Sequence, residues 1–138
     1  MDPLPTLSLA DAPRVVAPDG SDVRPLLAVA GGSMARFELG PGRTSLAVRH
    51  RTVEELWYVV GGRGEMWRSR DGVEAVTPLE PGVCLAIPLG TAFQFRSRGP
   101  EPLVVIAATV PPWPGDAEAA PAPGNPAWGA EPDPRDFG

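Results

Sequence analysis

Residues 42–62 read GRTSLAVRHRTVEELWYVVGG and residues 82–97 read GVCLAIPLGTAFQFRS. Each stretch is built of short apolar runs of strand length, set between glycines. Successive strand residues face opposite ways. Val48 and His50 therefore share a face, Glu55 and Trp57 share one, and Phe93, Phe95 and Ser97 share another. Gly42, Gly62 and Gly82 stand at strand ends, where positive φ is often required, and Pro88-Leu89-Gly90 suits a tight turn between two strands.

The same rhythm extends outward in both directions. Apolar runs of strand length fall at 14–17, 23–30, 34–39, 44–50, 55–60, 64–69, 73–79, 83–88, 91–96 and 103–110. Between them lie turn signals such as Pro18-Asp19-Gly20-Ser21, Gly31-Gly32 and Arg70-Asp71-Gly72. Closely spaced short strands without a long run of helical periodicity predict an all-β fold, an antiparallel sandwich or barrel. Residues 1–13 are expected to form an extended arm and residues 14–110 the barrel. Residues 111–138 form a Pro/Gly-rich tail, expected to be neither helix nor sheet interior. Trp113, Trp128 and Phe137 are spaced through that tail, so it is either solvated or strapped across the barrel.

Composition agrees with one domain. The chain has 138 residues, 43% hydrophobic and 21% charged, enough for a core without disulfides or a structural metal. Its 19 prolines and 16 glycines disfavour helices. The net charge of −5 is concentrated in the tail, and no basic face exists to meet nucleic acid or an anionic membrane. No apolar run reaches the length of a membrane span and no signal-peptide layout opens the chain, so the expected location is cytoplasmic. Cys84 is the only cysteine, His50 the only histidine and Tyr58 the only tyrosine. All twelve basic residues are arginines, which removes lysine Schiff-base chemistry.

The two opening stretches resemble the paired motifs of the cupin superfamily, and specifically those of its small single-domain bacterial members. The first motif places Gly, His, His, Glu and Gly at positions occupied here by Gly42, Val48, His50, Glu55 and Gly62. The second places Gly, Pro, Gly, His and Asn at positions held by Gly82, Pro88, Gly90, Phe93 and Ser97. The resemblance implies a double-stranded β-helix, or jelly-roll barrel, in which three histidines and a glutamate converge on one metal. Here only His50 and Glu55 of that set remain. A metal site commonly needs three protein ligands, so no cofactor is expected. If a metal were held, His50 and Glu55 would hold it, with Cys84, Glu65 or Gln94 as the conceivable third donor.

What the resemblance leaves is a pair and a pocket. His50 and Glu55 are the candidate catalytic residues: a general base, and a carboxylate that orients it. The alternative is a leftover histidine hydrogen-bonded to Glu55. Val48, Trp57, Phe93, Phe95, Ser97 and Arg43 are the candidate substrate-pocket residues, suiting a small, partly hydrophobic molecule whose acidic group an arginine would clamp. These side chains would otherwise simply fill the barrel. Three functions follow: a metal-independent isomerase, epimerase, cyclase or lyase; a non-catalytic binding or sensor protein; or a metal-dependent oxygenase or isomerase with a reduced ligand set. The expected partners are a small molecule and a second copy of the chain, because small cupins commonly pair their sheets. Glu54 is expected at the surface, and Cys84 buried.

Overall fold

The computed structural model describes residues 2–122 and Trp128. Among these residues eleven strands run β1 Val15–Val16, β2 Asp22–Val29, β3 Gly32–Leu39, β4 Val48–His50, β5 Glu54–Gly61, β6 Gly64–Arg70, β7 Val73–Leu79, β8 Cys84–Ile87, β9 Ala92–Ser97, β10 Leu103–Val110 and β11 Ala119–Pro121. Two three-residue 3-10 turns, Leu9–Asp11 and Asp116–Glu118, are the only helical pieces among the described residues. The strands form two antiparallel sheets, ordered β1-β2-β3-β10-β5-β8 and β11-β4-β9-β6-β7. This is the expected all-β jelly roll.

Alternation builds the core. In β5, Glu55, Trp57 and Val59 are buried while Leu56, Tyr58 and Val60 are exposed, and in β10 the buried set is Leu103, Val105, Ala107 and Thr109. These side chains meet Phe93 and Phe95 of β9 and Met66 of β6 between the sheets. Each large apolar side chain buried this way contributes roughly 1.5–3 kcal/mol.

The turns follow the residue types that punctuate them. Asp71 and Gly72 both have positive φ (51° and 79°) and join β6 to β7 in a two-residue hairpin. Gly62 (φ 76°) is the most constrained glycine. A Cβ there would lie 2.1 Å from the Pro102 carbonyl oxygen, so neither its backbone conformation nor its surroundings admit a side chain.

One expectation is sharpened and one is corrected. The tail adds a strand: β11 pairs with β4, Ala119 opposite His50 and Pro121 opposite Val48. Backbone pairing at a sheet edge needs no apolar pattern and tolerates proline, so nothing in the local composition announced it. Cys84 is exposed rather than buried. In β8, a sheet-edge strand, Leu85 and Ile87 take the inward places, and the alternation turns Cys84 and Ala86 outward. No helix among the described residues is long and apolar enough to cross a membrane. Phe137, named above with the tail, lies outside the described residues.

Candidate ligand pocket

The space between the sheets is not filled at one end, where a cavity of about 280 Å³ remains. β4 contributes Val48 and His50 to its wall, β5 Glu55 and Trp57, β9 Phe93, β10 Thr109 and β3 Phe37. The turn between β1 and β2 adds Asp19, and the segment after β10 adds Trp113.

His50 and Glu55 come together as the motif spacing suggests. His50 Nδ1 lies 2.8 Å from Glu55 Oε2, with the two side chains 7% and 2% exposed. The approach is a close contact without the in-line geometry of a hydrogen bond. The other oxygen, Oε1, accepts a 3.0 Å hydrogen bond from Trp57 Nε1. Glu55 is thus fixed between an indole and an imidazole. Phe93 and Trp113 hold the imidazole edge-on, at centroid distances of 5.1 and 5.0 Å. Among the described residues no hydrogen bond engages His50 Nε2.

Of the candidate pocket residues, Val48, Trp57 and Phe93 line the cavity, whereas Phe95, Ser97 and Arg43 do not. Phe95 lies behind Trp57, its ring 4.9 Å away at 79°. Ser97 shares the inward face of β9, but four strand residues span about 13 Å. Its hydroxyl serves the following turn, accepting from Gly99 N at 3.3 Å. Arg43 sits beside that same strand end, its carbonyl accepting from Ser97 N at 2.9 Å. Alternation fixed which way these residues face, not their depth along the barrel. Glu54 is exposed, as expected.

Sequence reasoning missed three groups. Asp19 is 6% exposed and lines the cavity. Burial pushes its carboxyl above the ordinary value, against the hydrogen bonds from Ser21 that favour ionisation. Its Oδ1 accepts from Ser21 N (2.9 Å) and Ser21 Oγ (2.6 Å), a local turn geometry that a Pro-Asp-Gly-Ser sequence does signal. Trp113 covers His50 and is anchored through its backbone N–H, which donates to Ser33 Oγ at 2.9 Å; Ser33 Oγ in turn meets Thr109 Oγ1. Glu118 clamps the tail. Its carboxylate accepts hydrogen bonds from Thr52 N, Thr52 Oγ1 and Val53 N, at the turn between His50 and Glu55.

The donor set does not suit a metal. The family's other two histidine positions hold Val48 and Phe93, which cannot ligate, and among the described residues no group of three or more His, Cys, Asp or Glu is placed to hold an ion. Residues 35–109 match the family described as the Cupin domain, more than half the chain. The chain is a cupin. No curated protein matches it. Similar solved structures include CapF with the inhibitor 3-isopropenyl-tropolone, at 17% identity and a TM-score of 0.67. That match covers 80% of this cupin, which spans about a third of CapF (34%). A conserved protein with a double-stranded β-helix domain from Klebsiella pneumoniae is 20% identical with a TM-score of 0.63, over 83% of this cupin and 94% of that chain. A variant of Streptomyces PAC13 with uridine is 12% identical with a TM-score of 0.67, over 85% and 88% respectively. At these identities the likeness is one of fold.

Proposed function

We propose that this cupin binds a small organic molecule inside the barrel and moves a proton on it without a metal, with His50 as the base and Glu55 holding the imidazole. The observation that carries the reading is the buried contact of His50 with Glu55 in the wall of a largely apolar cavity. The carboxylate occupies the Nδ1 side of the ring, which leaves Nε2 for the ligand. A base so held, in a site shielded from water, suits isomerase, epimerase, cyclase or lyase chemistry.

Solvent-exchange labelling tests this. The protein is incubated in heavy water with a mixture of small carbonyl compounds, and their masses are compared between wild type and His50→Ala. At least one compound is expected to gain deuterium with wild type only. A compound retained by both proteins and never labelled would replace the catalytic reading with a non-catalytic binding or sensor role. Labelling that survives His50→Ala would remove His50 as the base.

A homodimer is part of the same proposal. The outer face of the six-stranded sheet presents Leu56 (54% exposed), Tyr58 (50%) and Val60 to solvent, beside Cys84 and Ala86 of the edge strand. A second copy covering that face would remove the apolar patch from water. Sedimentation velocity is expected to give twice the chain mass, and Leu56→Arg to shift it toward one chain. A wild-type protein sedimenting as a single chain would contradict the pairing.

A further inference from the structure

The charged residues around the cavity carry one sign. Asp19 and Glu55 line its wall, Asp116 stands exposed in the lining after β10, and among the described residues no arginine lines it. The chain has no lysine at all. An anionic ligand would therefore shed its water among like charges, with His50 as its sole candidate counter-charge among the described residues, and that imidazole is already against Glu55. This departs from the expected arginine clamp on an acidic group.

The walls favour the opposite charge. Phe37, Trp57, Phe93 and Trp113 all line the cavity, and aromatic faces attract organic cations when both are desolvated. Both oxygens of Glu55 are engaged, by Trp57 and by His50. Asp19 differs: Oδ1 takes both hydrogen bonds from Ser21, while among the described residues no hydrogen bond engages Oδ2. A carboxyl with an open oxygen, buried in a cavity, is completed by a donor that arrives with the ligand.

We propose that the cavity takes an organic amine, an apolar or aromatic body bearing one protonated nitrogen that seats against Asp19. The inference rests on the reading of the cavity as the ligand site, and it adds the chemical class of the ligand. A charge-assisted hydrogen bond to Asp19 holds the nitrogen, and the aromatic walls hold the body.

Three probes of one shape test it by calorimetry: 2-phenylethylamine, 2-phenylethanol and phenylacetate. Wild type is expected to bind the amine roughly tenfold more tightly than the alcohol, and the carboxylate most weakly of the three. Asp19→Asn keeps an oxygen for Ser21 and is expected to weaken the amine far more than the alcohol, erasing the amine's advantage. The wild-type ranking alone decides the question if that variant folds poorly. A carboxylate binding as tightly as the amine, or an amine affinity indifferent to Asp19→Asn, would overturn the amine class and leave the proton-transfer reading standing. Failure of all three probes to bind a protein whose His50-dependent exchange is intact would also overturn it.

Discussion

Glu55→Ala is expected to lower stability by about 2–4 kcal/mol, because a buried indole donor loses its carboxylate acceptor and the truncated side chain leaves a void. Trp57 Nε1 loses its acceptor Oε1, and His50 Nδ1 loses its contact with Oε2. Both lie in the packed aromatic centre, where Trp57 stacks on Phe37 at 5.6 Å and meets Phe95 edge-on, so water cannot readily replace the carboxylate. Glu55→Gln separates the two roles. Its amide oxygen can still accept from Trp57, which limits the loss to about 1–2 kcal/mol, but it removes the charge beside His50. Denaturant unfolding is expected to rank wild type above Gln and Gln above Ala, and the exchange activity to be lost in both. Equal stability of Ala and wild type would mean that Glu55 does not organise the centre.

Glu118→Ala is expected to cost about 2–4 kcal/mol, because three donors at the turn between the two candidate catalytic residues lose a charged acceptor. The loss is expected to be local first. Arg51 N donates to Glu118 O and Arg51 Nε to Ala117 O, so the 3-10 turn and β11 loosen together and Trp113 is freed over His50. Acid should act on the same clamp. Burial favours the neutral form of Glu118, but the hydrogen bonds from Thr52 and Val53, with nearby His50, outweigh it and hold the carboxyl below 4.5. A folded-state value below the unfolded one stabilises the fold at higher pH, and the contribution fades as pH falls from about 4.5 through the folded value. Asp19 has the opposite sign. Burial holds it above 3.8, so its ionisation opposes folding, and that opposition is relieved as pH falls through its raised value toward 3.8. Protection of the Arg51, Thr52 and Val53 amides, taken relative to the intrinsic exchange rate at each pH, is expected to fall in Glu118→Ala at neutral pH, and in wild type on acidification below 4.5. Protection unchanged in both would remove Glu118 as the clamp.

How much of this was legible in the chain depends on the range of the interaction. The strands could be read because alternation and turn residues are local, and β5, with its buried Glu55, Trp57 and Val59, is the clear instance. The pairing of His50 with Glu55 was legible because both sit in one motif at two ends of one turn. Phe95 and Ser97 were misplaced because period-two patterning gives a facing direction and is silent about depth. Asp19 and Trp113 as pocket groups, and Glu118 as the clamp beside them, were missed for a different reason. They reach the site through contacts between segments far apart in sequence, such as Trp113 with Ser33 and Glu118 with Thr52. Trp113 carried a signal, a large aromatic in a Pro-rich tail; Asp19 carried the turn signal of Pro18-Asp19-Gly20-Ser21 but none of its place in the cavity, and Glu118 carried none beyond its charge.

The central claim is that the barrel cavity is a metal-free ligand site organised by His50 and Glu55. The most direct measurement is an electron-density map of crystals grown from protein saturated with 2-phenylethylamine, with anomalous scattering recorded from the same crystals. The account predicts density for the ligand within the cavity, bounded by Trp57, Phe93 and Trp113, with its nitrogen at Asp19 and no anomalous peak beside His50. A transition-metal peak ligated by His50 and Glu55, or a ligand bound only outside the barrel, would contradict it.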